Sequence, residues 1–461
     1  MNASGMPATV GVERSVRATA DEFVSPLILI ERAVQDEAKS LGVDPDSATG
    51  RLDLERLVRG QLDRWQLDYE RGERPHPVSD PFQTLVRAVR NIAGYGPLEP
   101  LLADDDVYEI MINSPSAIFV KRHSRPSEYH DEVFHDDDHV LRTLTKILDD
   151  ATAAGANRKL DPSEGLQDAQ LDTGARLHIV HQDIGRDSHM LVNIRKFTGV
   201  SIRSLAELVN RDMLDPLAAE FLGQAVKAGA TVVVAGAPGS GKTTLLSCLS
   251  AELDPALRVV VAEEVFEADV PLANVAAMQT RAHRPDRREV DLRRLVAGFL
   301  RMAPDVAIVG EVRDREVLPL LLTLSSGVQG FTTIHAGSAR QALSRLRFIA
   351  QLADTSNEIP MSALNSLISE AVDIVVFAER NAGHLQVTEI IAMEEQAAGN
   401  DAVAFTTTDL FSRRAPGAAL SWSGQVPVRL SRMFERRGLD FRRVVHSGDL
   451  AGSAHGNGEQ P

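Results

Sequence analysis

The sequence predicts an α/β protein: an open sheet built around a phosphate-binding loop, with a smaller mixed α/β domain and a helical extension ahead of it. Three observations carry this. Val232–Leu246 reads VVVAGAPGSGKTTLL, a β-branched strand run, a glycine-rich loop and the start of an apolar helix. Apolar runs of strand length recur at Leu257–Ala262, Val306–Val309 and Gly330–Ile334, each ending in acidic residues, a Gly-Glu pair or a histidine. Upstream, Val107–Ile112, Ala117–Lys121, Asp168–Val180 and Met190–Phe197 alternate like half-buried strands.

Taken in order, Met1–Ser25 is polar and reads as disordered. Pro26–Leu41 and Arg51–Arg71 space their apolar residues as amphipathic helices, a pair expected to pack on the main body. Gly72–Pro81 holds Pro75, Pro77 and Pro81 and reads as a linker. Phe82–Ala93 resumes as a helix, and the prolines of Tyr95–Pro100 break it. Asn113-Ser114-Pro115 supplies the turn between the first two strands, and His139–Ala153 reads as a helix. Val200–Asn210 and Pro216–Ala228 read as helices leading into the central strand. The implied domains are 1–81 (disordered start, helical extension and linker), 82–198 (mixed α/β), 199–395 (phosphate-loop domain) and 396–461 (a partly disordered tail). Within that tail Arg429–Arg443 holds six arginines. It reads as a solvated, partly helical segment, with contact to anionic lipid as the alternative.

The chemistry follows from the loop. Gly236-Ala237-Pro238-Gly239-Ser240-Gly241-Lys242-Thr243 is a complete GxxxxGK[ST] motif, followed by Thr244. Glycines let successive amides curl inward toward phosphate oxygens, and the helix N-terminus adds partial positive charge. Lys242 is placed for β- and γ-phosphates and the Thr243 hydroxyl for Mg²⁺. Glu263, Glu264 and Glu267 follow one strand run, where the γ-phosphate lies in an open α/β sheet. Glu311, after Val306–Gly310, fits a Walker B acid holding a Mg²⁺-bound water. Arg313-Asp314 comes next. His335 ends its strand at the same sheet edge, placed to sense or polarise at the γ-phosphate.

Composition bounds the partners. With 49 basic and 65 acidic residues the net charge is −16, which argues against direct nucleic-acid contact. Cys248 is the one cysteine, so no disulfide framework or cysteine-based zinc site can form within the chain. That suits a reducing cytoplasm. Met1–Ala18 lacks the apolar segment of a signal peptide, and no run of about 18 apolar residues exists.

The P-loop, AEEVFEA, VGEVRD and TTIHAGSARQALSRL, in this order, resemble the type II/IV secretion ATPases, and more specifically the CpaF/TadA-type branch. GYGPLEPLLADDDVYEIMIN (Gly94–Asn113), DAQLDTGARLHI (Asp168–Ile179), NIRKF (Asn193–Phe197) and ALNSLISEAVDIVVFAER (Ala363–Arg380) support it, over roughly Phe82–Met393. The resemblance implies a RecA-like ATPase domain behind a PAS-like N-terminal domain. It implies that Glu267 activates the attacking water, that Glu311 and His335 are the Walker B and histidine-box residues, and that Arg176 and Arg195 reach nucleotide phosphates on domain closure. Glu264 stands where the family usually has aspartate, and Gln170 where it often has arginine. A tetracysteine zinc element, common in type II secretion and type IV pilus extension motors, is ruled out by the single cysteine.

By the same resemblance the chain is a homohexameric ring using ATP and Mg²⁺. The ring sits peripherally on the cytoplasmic face of the inner membrane and drives pilin through a platform protein of a tight-adherence or type IV pilus-type system. Two alternatives stay open: a conjugation or type IV secretion motor, and a low-turnover ATP-binding scaffold or regulator, which Glu264 and Gln170 would allow.

Overall fold

The computed structural model describes residues 25–45, 47, 49–122, 126–150, 160–171, 174–196, 202–281, 288–353, 359–381, 384–395, 405–413 and 418–445. The chain divides into two compact units, Met1–His123 with Ser127–Lys196, and Ser124–Pro126 with Phe197–Pro461.

The first unit opens with three helices, α1 (Pro26–Leu41), α2 (Gly50–Glu70) and α3 (Pro81–Ala93). The proline-rich stretch before α3 is an ordered connector. Trp65 Nε1 donates to the His76 carbonyl at 3.0 Å, and the Arg74 guanidinium lies 4.3 Å from the Trp65 ring centroid. Asp80 then caps α3 by accepting from the Gln83 amide, with Pro81 in the first turn. Leu85, Ala88 and Val89 of α3 share one buried cluster with Ile30, Val34, Leu54 and Val58. The domain boundary expected at residue 81 therefore falls inside a three-helix layer: α3 belongs with the helical extension, because its apolar face is buried there.

Beyond the short helix α4 (Glu99–Ala103) come β1 (Val107–Ser114), β2 (Ala117–Arg122), β3 (Glu128–Tyr129), α5 (Asp137–Asp150), β4 (Leu166–Gln170), β5 (Arg176–Val180) and β6 (Leu191–Arg195). They form a six-stranded antiparallel sheet in the order β3-β2-β1-β6-β5-β4. Ile110, Ile112, Leu177, Ile179, Val192 and Ile194 turn to one face and bury against Val140, Leu144 and Ile147 of α5. The alternate residues form the second face.

The second unit holds α6 (Leu205–Asn210), α7 (Pro216–Ala228), β7 (Val232–Gly236), α8 (Lys242–Ser250), β8 (Val259–Glu263), β9 (Val275–Gln279), α9 (Leu292–Val296), β10 (Val306–Val312), α10 (Val317–Ser325), β11 (Gln329–Ile334), α11 (Ala339–Ala353), α12 (Met361–Ala371), β12 (Ile374–Asn381), β13 (His384–Met393), β14 (Thr407–Ser412), β15 (Ser421–Trp422) and α13 (Val428–Arg436). Its nine-stranded sheet runs β15-β14-β13-β12-β7-β11-β10-β8-β9. The strands from β12 to β9 pair in parallel, and β13, β14 and β15 add an antiparallel edge. Val232 and Val234 face one core, with α6, α7, α8 and α13; Val233 and Ala235 face the other, with α9, α10, α11 and α12. Central parallel strands are thus covered on both sides, which is why they read as continuous apolar runs.

Three sequence expectations change here. Helix α6 starts at Leu205, where Ser204 accepts from the Glu207 amide and fixes the N-terminus, and Val200, the expected start, lies outside the described residues. The Walker B strand runs on through Val312, so Glu311 sits inside β10. Part of the expected tail is packed into the core. The described residues 405–413 and 418–445 contribute two strands and α13, whose Leu430 and Phe434 are buried with Phe221, Phe411, Phe441 and Val445. Three of the six arginines form ion pairs, Arg429 with Asp373, Arg432 with Glu395 and Arg443 with Asp440, which reduces the unbalanced basic charge that suggested lipid contact. Met1–Val24, Gln396–Ala402 and Gly448–Pro461 lie outside the described residues.

Candidate nucleotide site

Strand β7 delivers the loop to the sheet edge, and α8 leaves from Lys242. Two glycines are sterically required. A Cβ on Gly236 would lie 2.2 Å from the Ala378 carbonyl oxygen and 2.3 Å from Ser240 Oγ. Gly241, at φ 81°, is the left-handed N-cap of α8. Inside the loop the Ser240 amide and Lys242 Nζ both donate to the Ala237 carbonyl, at 3.2 and 3.0 Å. Ser240 Oγ is buried with no hydrogen-bond partner among the described residues. A glycine cradle, a buried ammonium and an orphaned hydroxyl at a helix N-terminus match the demands of a polyphosphate. Pro238 and Gly239 complete the loop, and Thr243 and Thr244 occupy the first turn of α8. Arg380, at the end of β12, donates to the Gly239 carbonyl at 3.3 Å.

The sheet order then sorts the motifs. In sequence they run Lys242, Glu264, Glu311, His335; across strands β7-β11-β10-β8 they become Lys242, His335, Glu311, Glu264. His335 Nδ1 lies 3.1 Å from Lys242 Nζ and 3.2 Å from the Gly236 carbonyl oxygen, and its Nε2 lies 2.7 Å from Glu311 Oε1. An ammonium can only donate and a carbonyl oxygen can only accept, so the ring tautomer decides which of the two Nδ1 pairs with, while Nε2 faces the Glu311 carboxylate at ion-pair distance. Burial, helped by the Lys242 charge, pushes the imidazole pKa below its ordinary value, so the ring is neutral at pH 7. Burial works against ionisation of Glu311. The hydrogen bond and charge of Arg313, with His335 and Lys242, outweigh it and hold the carboxyl below the usual range. The Thr333 hydroxyl, donating to the Gly310 carbonyl at 2.8 Å, ties β11 to β10 beside this acid.

The acidic segment after β8 divides its labour. Glu263 is buried, and its Oε1 accepts from the amides of Glu267 and Ala268 at 3.1 and 3.0 Å, so it shapes the loop. Glu264 accepts from Arg313 Nη1 at 2.9 Å. Glu267 sits on the shaped loop, with its charge in electrostatic reach of Arg313. Sequence reasoning passed over Arg313 and Arg380. Each follows a glutamate, and an isolated Glu-Val-Arg or Glu-Arg string looks like a solvated face.

In the first unit, Arg176 and Arg195 sit directly opposite each other on β5 and β6. Their row continues through Glu109 to Lys121 on one side and to the Gln170 position on the other. Like charges opposed across a ladder are destabilising, an arrangement that an anion would relieve. Glu109 offsets part of this. Against its own burial, hydrogen bonds from Asn193 and Lys121 and the charges of Lys121 and Arg195 hold its carboxyl below the usual range.

Among the described residues no group of three or more histidine, cysteine, aspartate or glutamate side chains could cage a metal ion. The Thr243 hydroxyl and the Glu311 carboxylate suit a Mg²⁺ ion held mainly by phosphate oxygens and water. No helix among the described residues is long and apolar enough to cross a membrane.

Fold and site together define a P-loop protein of the class that binds and hydrolyses a nucleoside triphosphate. The chain belongs to the type II/IV secretion system protein family, whose model matches residues 91–400. It is similar to the type IV secretion system protein PtlH of Bordetella pertussis, at 32% identity over 62% of this chain and 89% of that one. It is also similar to a putative conjugal transfer protein of Mycobacterium tuberculosis, at 30% identity over 66% of this chain and 86% of that one. Among solved structures, the VirB11 ATPase of the Brucella suis type IV secretion system matches at 25% identity, covering 64% of this chain and 94% of that one with a TM-score of 0.33.

Proposed function

We propose that this chain is the ATP-hydrolysing motor of a tight-adherence or type IV pilus-type assembly system, of the CpaF/TadA branch. The carrying observation is the continuous polar line from the P-loop lysine through His335 to Glu311, in a chain of the secretion family. Loop amides, Lys242 and Arg380 lie where a triphosphate would be gripped. Thr243 and Glu311 would hold Mg²⁺, directly and through water, and the ion neutralises phosphate charge when bound. Glu267 orients a water and takes its proton as the water oxygen bonds to the γ-phosphorus and the bond to the ADP oxygen breaks. His335 faces Glu311 through Nε2 and Lys242 through Nδ1, at the sheet edge where the γ-phosphate would lie.

The RecA-like and PAS-like labels describe the two units best, with 1–93 as the helical extension, 94–198 as the N-terminal α/β domain and 199–445 as the ATPase domain. Arg176 and Arg195 reach phosphate when the domains close, so nucleotide state sets domain angle. A homohexamer on the cytoplasmic face of the inner membrane passes that motion to a platform protein that moves pilin. The test is co-purification from the host's membranes in the presence of ATP. Recovery of a pilus platform protein supports the reading, and recovery of a DNA-processing complex instead replaces it. That second outcome fits a conjugation or type IV secretion motor, which the names of both relatives favour. The complete P-loop together with Glu267, Glu311 and His335 weighs against the scaffold reading, and Glu264 is paired with Arg313.

A further inference from the structure

The Arg313 side chain touches two of the acidic motifs. Its Nη2 donates to Glu311 Oε2 at 2.8 Å and its Nη1 to Glu264 Oε2 at 2.9 Å. The backbone beneath it is fixed. Val312 is buried in β10, and the nearly buried Glu316 accepts from the amides of Arg313 and Asp314 through one oxygen. On the other side, Thr280 Oγ1 donates to the Glu264 carbonyl at 3.0 Å, and Glu263 takes the amides of Glu267 and Ala268.

We propose that Arg313 is a positioning residue, a latch that fastens the acidic segment 264–267 to the Walker B acid. The segment is anchored at both ends, by Arg313 on the Glu264 side chain and by Glu263 on the Glu267 amide. A planar guanidinium suits the task, because its two terminal nitrogens diverge in a fixed fork and can meet two carboxylates at once. The glutamate at 264 fits the same account: one methylene longer than aspartate, it has the reach to meet an arginine rooted at the end of the neighbouring strand β10. Through the latch, whatever engages Glu311 also sets where Glu267 stands. The groups facing this cluster are Lys242 from α8, His335 from the end of β11, and Glu264 and Glu267 from the loop after β8.

The kinetic arm of the test rests on the hydrolytic reading above. Steady-state ATP turnover is measured for wild type, Arg313→Lys, Arg313→Gln, Glu264→Gln and the Arg313→Gln/Glu264→Gln double variant, with Lys242→Ala as the binding-loss control. Glu264→Gln should lower kcat about tenfold, the loss of one charge-assisted hydrogen bond, and Arg313→Gln, which loses two, by at least as much, each with KM within about twofold. The double variant should be no slower than the slower single, and Arg313→Lys should recover part of the loss. Multiplicative losses, a Glu264→Gln protein as fast as wild type, or a Lys variant no better than Gln would overturn the latch. Amide hydrogen exchange at Glu267 and Ala268 reads it without turnover. Exchange should quicken in both Gln variants; unchanged exchange overturns the latch. A wild type that turns over no ATP while these amides respond would instead count against the hydrolytic reading.

Discussion

Replacing Arg429 by methionine tests whether the C-terminal segment is part of the ATPase core. Asp373 opens β12 and is buried, with its side chain 8% exposed. It accepts from the Thr231 amide at 2.8 Å and from Arg429 Nη2 at 2.7 Å. Arg429 also donates to the Ser369 and Glu370 carbonyls at the end of α12. Methionine keeps the apolar stem and removes the cation, leaving a buried carboxylate and two helix-end carbonyls short of a donor. Breaking a buried pair from one side costs about 3–5 kcal/mol, and the partial exposure of Arg429 argues for the lower end. For a domain of this size, about 3 kcal/mol lowers Tm by roughly 6–12 °C.

The pH dependence has a definite sign. Burial raises the Asp373 carboxyl above its ordinary pKa, opposed by Arg429 and the Thr231 amide. Ionising it therefore costs the folded state stability as pH rises through that value. Without Arg429 the folded pKa climbs further, so the variant's deficit is full above the new pKa. It shrinks as pH falls until the carboxyl is protonated in both proteins. Thermal melts of the full chain across that window provide the assay. A variant melting within about 2 °C of wild type at neutral pH, or a deficit that grows on acidification, would refute the reasoning.

Other outcomes follow from the same geometry. Gly236→Ala should abolish tight binding of a fluorescent ATP analogue, by more than about tenfold in Kd, since its methyl would meet a carbonyl oxygen 2.2 Å away; near-native affinity would contradict the loop geometry. His139 is buried, and burial followed by the His135 and Arg142 charges lowers its pKa to about 3. The unfolded chain then takes up the proton first as pH falls below about 6.5. Urea unfolding should lose about 2 kcal/mol from this group by pH 5, and His139→Gln should flatten that slope. Arg176→Gln relieves a like-charge pair, so its stability should match or exceed wild type within about 0.5 kcal/mol while ATP turnover falls at least about tenfold. A stability loss with intact turnover would make Arg176 structural.

The parts of the site that are local chemistry were legible in the sequence. A strand, a glycine loop and a helix in succession need no tertiary information, and Glu267, Glu311 and His335 each announce themselves at the end of an apolar run. Their adjacency was not legible. Strand β11 inserts between β7 and β10, a choice made by long-range packing, and only that insertion places His335 between Lys242 and Glu311. The opposition of Arg176 and Arg195 depends on the β5-β6 register, which no periodicity specifies. In the C-terminal segment six arginines drew the eye, although Leu430 and Phe434 carried the i, i+4 spacing of a buried helix face. Helix α3 was separated from its partners by prolines that turn the chain without ending the packed layer.

The central claim is that the line from Lys242 to Glu264 hydrolyses ATP, and Mg²⁺-dependent turnover of the purified full chain tests it most directly. Wild type, Lys242→Ala and Glu267→Gln are compared across protein concentrations. The account predicts turnover per chain that rises with concentration, as assembly brings the arginines into play, and losses of about a hundredfold or more in both variants. A wild type that binds ATP yet hydrolyses it no faster than Glu267→Gln at every concentration would contradict the account.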